Sequence, residues 1–178
     1  MKKELWDACD AKGNLLGFDL VRGEPVPEGV YHLVAEVLAL TNDGQVLVTK
    51  RHQDKPWGGY WEYTGGSVLK GETPLLGALR ELQEETGISV SARDLHPAYT
   101  DSRPGIDGLN TIYHSFVVFF DPTEQTIRLQ EGETVAYDLL PYEAFKRFVL
   151  EDAFVEPVRR RFLDHQADYY RIIQAHFR

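Results

Sequence analysis

The sequence predicts an α+β fold, a mixed-sheet sandwich, and three observations carry that expectation. Strand-like runs come first, one amphipathic helix interrupts them, more strands follow, and two helical runs close the chain. The apolar segments 30–40 and 45–51 flank "TNDG", whose Asp43-Gly44 is a hairpin dipeptide. The helix at 74–86 carries a start signal and a stop signal of its own.

In chain order, residues 4–20 read as a small hairpin, with "LWDAC" and "LLGFDLV" around the turn "DAKGN". The Pro- and Gly-rich "RGEPVPEG" is a connector. "VYHLVAEVLAL" and "QVLVTKR" follow as a strand pair, then the loop "HQDKPWGGY" and the short strand "WEYTG". "ISV" and "LHPAYTDSR" read as short strands, and "LNTIYHSFVVFF" (109–120) as the clearest long one. Strand-like "QTIRLQ" and "TVAYDLL" flank the polar turn "EGE". "YEAFKRFVL" and "PVRRRFLDHQADYYRIIQAHF" read as helices. The organisation expected is one domain over 1–178, with an N-terminal hairpin extension (about 1–28) and a C-terminal helix (about 156–177).

The central helix begins with Pro74 in the first turn and Thr73 as N-cap, and stops at Gly87. Leu75, Leu79, Leu82 and Thr86 form one stripe expected to be buried. Glu81, Glu84 and Glu85 are expected on the opposite, exposed side.

Composition narrows the function classes. The 178 residues are 43% hydrophobic and 26% charged, an ordinary globular balance. Net charge is −9, from 19 basic and 28 acidic residues, which argues against a broad basic surface for nucleic acid. A single cysteine, Cys9, excludes an intrachain disulfide framework and suits a reducing cytosol. No apolar run follows the basic start "MKK", and the longest apolar segments are too short to span a bilayer. The expectation is a soluble, cytoplasmic protein.

"RELQEE" raises the chemical question. Its three carboxylates repel one another at helical spacing and sit at the negative end of the helix dipole, each unfavourable there by ~0.3–1 kcal/mol. A solvated acidic face, with Arg80 offsetting Glu84, is the plain reading. It leaves three carboxylates at a helix C-terminus unexplained. A hard divalent cation explains them: Mg²⁺ takes oxygen ligands, keeps several waters and is shared with substrate phosphates. The glycines Gly65 and Gly66, just before the loop into the helix, allow close backbone approach, so a carbonyl could join that shell.

These residues match G-x5-E-x7-R-E-u-x-E-E-x-G-u, where u is a bulky aliphatic: Gly66, Glu72, Arg80, Glu81, Leu82, Glu84, Glu85, Gly87 and Ile88 fill every position. The chain thereby resembles the Nudix hydrolases. The resemblance implies a mixed β-sheet sandwiched between α-helices, and Mg²⁺- or Mn²⁺-dependent hydrolysis of a nucleoside diphosphate derivative or related diphosphate. It implies Glu84 and Glu85 as metal ligands, and Glu81 as a further ligand or as the base that activates water. Arg80 orients the carboxylates, Glu72 bridges to it, and the Gly65 carbonyl is a further ligand candidate. The family often adds an acid from a later loop; Glu131 is the first candidate and Glu133 the second. The N-terminal third also resembles the subgroup near isopentenyl diphosphate isomerase. That isomerase needs a Cys on the strand entering the motif, where this chain has "WEYTG". A catalytically silent ligand-binding module is the other alternative, opposed by the intact carboxylates. Dimers are common in the family, which makes a homodimer an expectation.

Beyond the motif, Arg51 ends a strand facing it and is a candidate for substrate phosphate. Trp57 and Trp61, with Tyr60, are candidates for stacking on a substrate ring. Tyr99, Arg103, Tyr113 and His114 are weaker specificity candidates. Cys9 reads as a small core or surface residue and His32 as a satisfied core histidine. "VRRRF" (158–162) reads as a solvated face or a subunit contact.

Overall fold

The computed structural model describes residues 3–105 and 109–178. Its centre is the strand Tyr31–Thr41 (β3), following the hairpin Leu5–Cys9 (β1) and Leu15–Val21 (β2). Along one edge β3 pairs in parallel with Asn110–Phe120 (β8), from Tyr31↔Asn110 to Thr41↔Phe120. Its other edge is shared. Cys9 of β1 meets Tyr31, the short strand Gly65–Ser67 (β6) pairs with Val34–Glu36, and Gln45–Arg51 (β4) begins at Leu40↔Val46. Strand β4 then carries Trp61–Glu62 (β5) and Thr134–Pro141 (β9), while His96–Arg103 (β7) closes the far edge on β8.

Strand alternation divides the core. Leu38, Leu40, Val46, Val48 and Val117 point toward the helices Tyr142–Phe148 (α2) and Glu156–His176 (α3), packing on Phe145, Phe162 and Tyr169. Val37, Ala39, Leu47 and Val118 point the other way, onto Ala78 and Leu82 of the helix Pro74–Thr86 (α1). The mixed sheet thus lies between helices, and burial of both faces explains the unbroken "VLAL". A third cluster of Trp6, Ala8, Leu20 and Val30, with Leu69 against it, anchors the hairpin.

The caps of α1 are those expected. Thr73 accepts from the Leu76 N–H, and Gly87 takes a left-handed φ of 74° while its N–H bonds Gln83 O at 2.9 Å. Leu82 and Thr86 are buried, but Gly77 and Ala78 share that face, and Leu75 and Leu79 are only half-buried.

Four expectations need correction. "ISV" joins no ladder; a 3-10 turn at Ala92–Asp94 follows it. "QTIRLQ" is not a strand either. Its amides go to the end of α1 instead, Arg128 N–H to Thr86 O at 2.8 Å and Gln130 N–H to Glu85 O at 3.4 Å, satisfying carbonyls a helix leaves unpaired. "WEYTG" splits between two strands, its first residues on β4 and Gly65 on β3. "VRRRF" is not wholly a solvated face: Arg161 is buried and donates to buried Glu36. Among the described residues, no helix is long and apolar enough to cross a membrane.

Candidate active site

The site begins with β6. A Cβ on Gly66 would lie 2.3 Å from the Glu81 carboxyl and displace it, and one on Gly65 would press on Ala35 O at 3.0 Å, so the glycines let the Glu81 carboxyl lie against the backbone. After β6 the chain turns through 68–73 into α1, and the N-terminal hairpin grips this turn. Lys70 N–H bonds Leu5 O at 2.8 Å, Gly71 N–H bonds an Asp7 carboxylate oxygen at 2.7 Å, and the Lys70 ammonium bonds Asp19 at 2.6 Å.

Arg80 organises the carboxylates. Nε and Nη2 hold both oxygens of Glu72 at 2.8 and 3.0 Å, a bidentate pair. Nη1 reaches Glu81 at 2.7 Å and Glu84 at 3.2 Å, and Nη2 also donates to Ser67 O at 2.9 Å. Glu72 in turn accepts the Leu69 N–H at 3.0 Å, so one guanidinium fixes both the loop and the helix face. Hydrogen bonding to Arg80 holds the Glu72 carboxyl below its ordinary range. Burial pushes the Glu81 carboxyl up, with Arg80 opposing.

The three acids do not share the exposed face that their spacing alone predicts. Glu84 is exposed, Glu81 is half-buried, and Glu85 is only 8% exposed. Segment 125–134 crosses the end of α1 and bonds the Glu85 main-chain carbonyl, while the Glu85 carboxyl lies near Gly65 and Glu62. Oε2 of Glu85 has no hydrogen-bond partner among the described residues. Burial, then the charges of Glu62 and Glu81, push its carboxyl well above the ordinary range.

These groups line one cleft of about 370 Å³. Glu81, Glu84, Glu85 and Glu133 supply acid, and Arg80, Arg51 and Lys55 supply positive charge. Arg51 is tethered, Nε to Pro56 O at 2.7 Å and Nη1 to buried Glu62. Lys55 forms an ion pair with Glu133, whose carbonyl accepts the His52 N–H at 2.8 Å.

Other expected residues are placed elsewhere. Glu131 is exposed and outside the cleft lining; Gly132, at φ 78°, turns the chain so that Glu133 faces in. Trp61 packs edge-on against Phe148 at 5.8 Å, on the α2 side of the sheet. Trp57, 44% exposed, meets Tyr60 edge-on and also lies outside the lining. Tyr99, Arg103, Tyr113 and His114 lie outside it too; Tyr99 bonds Glu36 at 3.0 Å and Arg103 pairs with Asp101 and Asp164. Cys9 is buried, its thiol donating to Tyr31 O. His32 stacks on Trp6 and bonds Thr111, and burial lowers its pKa to about 4.

Four contributors escaped the sequence reading: Glu4, Arg22, Lys55 and Glu62. The hairpin register Leu5↔Val21 sets Glu4 opposite Arg22, a pairing the turn position could have suggested. A lone Glu62 among aromatics was the other available signal.

A divalent cation fits this donor set. The oxygens are hard, one is a buried carboxylate oxygen without a partner, and the double glycine lets the backbone lie against the Glu81 carboxyl. Among the described residues the acids do not converge into a closed cage, because Arg80 holds Glu81 and Glu84 to the side. Mg²⁺ needs no such cage, since it keeps waters and takes substrate phosphate oxygens.

A mixed sheet between helices, with an arginine-clamped acidic helix beneath a double glycine, defines the Nudix class. The NUDIX domain family model matches residues 30–166, and the chain belongs to that family. Two uncharacterized Nudix hydrolases of Listeria, from L. monocytogenes and L. innocua, are 43% and 39% identical over 89 residues, 49% of this chain and 53% of each relative. The chain thus spans about half the length of these curated relatives. A Deinococcus radiodurans crystal structure superposes with a TM-score of 0.72 at 18% identity, covering 91% of this chain and 99% of that one. The NUDIX domain of Shewanella oneidensis NrtR, solved with ADP ribose, superposes at 0.54 with 17% identity, over 66% of this chain and 77% of that one.

Proposed function

We propose that the protein hydrolyses the phosphoanhydride bond of a nucleoside diphosphate derivative or related diphosphate, with Mg²⁺ or Mn²⁺. The observation that carries this reading is Glu85, a buried carboxylate with an unpartnered oxygen, in a cleft whose remaining charges can hold a polyanion. Glu84, Glu85 and the Gly65 carbonyl would hold the metal, with Glu81 either completing that set or left as the base. When bound, the metal neutralises the diphosphate, acidifies water and stabilises the leaving phosphate. Arg80 keeps Glu81 and Glu84 in place, and Arg51 and Lys55 bind phosphate oxygens. A water oxygen attacks phosphorus, its proton passes to Glu81 or Glu133, and the bridging P–O bond breaks toward the leaving phosphate. The ADP ribose on the Shewanella domain is a diphosphate of the class proposed here. The resemblance to the isomerase subgroup carries no isomerase chemistry into this reading, because Cys9 lies in β1, outside the cleft lining. A net charge of −9 supports a small-molecule substrate rather than nucleic acid, and a single buried thiol suits the cytoplasm. A homodimer remains the family expectation.

The test is phosphate release from a panel of nucleoside and non-nucleoside diphosphates. We expect at least one to be cleaved with Mg²⁺ or Mn²⁺ and none with EDTA. Metal binding without turnover on the whole panel would favour a silent binding module.

The cleft also separates the two loop acids. At saturating Mg²⁺, Glu133→Gln is expected to lower turnover by about tenfold or more, while Glu131→Gln changes it less than about twofold. Steady-state kinetics of the two variants decide this, and the reverse order would return the role to Glu131.

A further inference from the structure

The N-terminal hairpin lies outside residues 30–166, the span of the family domain, yet it furnishes a wall of the cleft. Glu4 precedes β1 and Arg22 follows β2, and the strand register sets them side by side. Both line the same cleft as Glu81, Glu84 and Glu85. The hairpin is not loosely attached. Trp6, Ala8 and Leu20 at its base are buried, although Leu15, Leu16 and Phe18 near its tip are exposed, and three hydrogen bonds tie it to the turn before α1.

The four cleft cations differ in what they have left to offer. Arg80 spends all three of its nitrogens on Glu72, Glu81, Glu84 and Ser67 O. Arg51 keeps Nη2 beside its bonds to Pro56 O and buried Glu62, and Lys55 shares its ammonium with Glu133, which leaves each enough to meet the diphosphate itself. The Arg22 guanidinium makes one side-chain bond among the described residues, Nη1 to Glu4 at 2.8 Å, and its side chain is 56% exposed. A guanidinium has five N–H donors in a planar fork suited to phosphate. Glu4 is held independently by the Trp6 indole N–H at 2.8 Å, so it stays in place when Arg22 turns away.

We propose that Arg22 binds a further phosphate, or an equally charged anionic group, of the substrate, next to the diphosphate that the helix acids and their metal engage. The hairpin then selects substrates carrying more negative charge than a bare diphosphate. Glu4 pairs with Arg22 and competes with that anion. This rests on the diphosphate reading of the cleft.

Calorimetric titration of the full chain in Mg²⁺ with pyrophosphate and with tripolyphosphate tests it. Wild type should bind tripolyphosphate about tenfold more tightly, the size of one charge-assisted hydrogen-bonded contact. Arg22→Gln should erase that preference and Arg22→Lys should retain part of it. Glu4→Gln should increase the preference, since it frees the guanidinium. If the pair merely staples the hairpin, Glu4→Gln and Arg22→Gln shift binding in the same direction, and the proposal fails. It also fails if wild type does not prefer tripolyphosphate, or if Arg22→Gln leaves the preference intact. Absence of pyrophosphate binding by wild type would overturn the diphosphate reading itself, a distinct result. Circular dichroism melts of each variant exclude a folding defect as the source of lost binding.

Discussion

Glu85→Gln lowers turnover on a confirmed substrate by roughly 10²–10³-fold, the scale of losing one charge-stabilising group aimed at the reacting centre. The same substitution should stabilise the metal-free protein. Glu85 is buried, lies in the field of Glu62 and Glu81, and has one oxygen without a partner. Its carboxyl is raised in the folded state, so the fold prefers it protonated. Below the ordinary carboxylate range this group costs nothing; as pH rises from there through the folded-state value, the metal-free protein loses stability. Glutamine removes that loss, and the apo melting point at neutral pH should rise by roughly 2–6 °C. The stabilisation of wild type by added Mg²⁺ should disappear with it. Melts with and without Mg²⁺, at pH 5 and pH 8, separate these effects. A variant with near wild-type turnover, or an apo form destabilised at pH 8, would show that Glu85 is a structural group.

The largest stability effect is expected far from the cleft mouth. Arg161 donates to Glu36 from Nε at 3.0 Å and also from Nη2, and both residues are buried. The guanidinium also lies 3.9 Å from the Tyr113 ring centroid, and Tyr99 bonds the other Glu36 oxygen. Arg161→Met leaves a carboxylate uncompensated inside the sandwich and should cost about 3–5 kcal/mol in urea unfolding. That is a large share of a typical domain stability of ~5–15 kcal/mol. The double variant Glu36→Leu/Arg161→Met should recover most of the loss, because removing both charges also removes the desolvation cost. Glu36 registers opposite Gly65, so the single variant should also weaken Mg²⁺-dependent activity. A single-variant cost below ~1 kcal/mol would mean that water reaches the pair.

Local signals were legible in the sequence because their causes are local. Thr73, Pro74 and Gly87 bound α1 through backbone chemistry within one turn, and Asp43-Gly44 turns β3 into β4. The motif residues converge because a helix and one short loop hold nearly all of them. What stayed hidden came from distant chain. Glu85 reads as exposed on α1 alone; its surroundings come from other parts of the chain, Gly65 and Glu62 near its carboxyl and segment 125–134, whose amides cap the helix instead of joining a sheet. Arg161 is indistinguishable from Arg159 and Arg160 in "VRRRF", and only the lone Glu36 inside an apolar strand hinted that one of them must turn inward. Trp57 and Trp61 looked alike for stacking, yet β5 aims Trp61 into the α2 layer. Glu4 and Arg22 meet the site through docking of the hairpin, which no spacing within the motif encodes.

The parallel union of β3 with β8 bears on how the chain is made. Tyr31 must wait for Asn110 before its edge is covered, and the whole acidic helix lies in the intervening loop. During synthesis at ~5–20 residues per second, β3 is therefore available for several seconds before its partner emerges. On its other edge, Cys9 of β1 and the local turn into β4 are ready early. Long loop closures of this kind slow folding relative to helical bundles, and "VLAL" is the segment that would recruit neighbouring chains meanwhile. Refolding yield should accordingly fall with protein concentration earlier than the native surface would suggest, with the nascent edge of β3 as the point of misassociation.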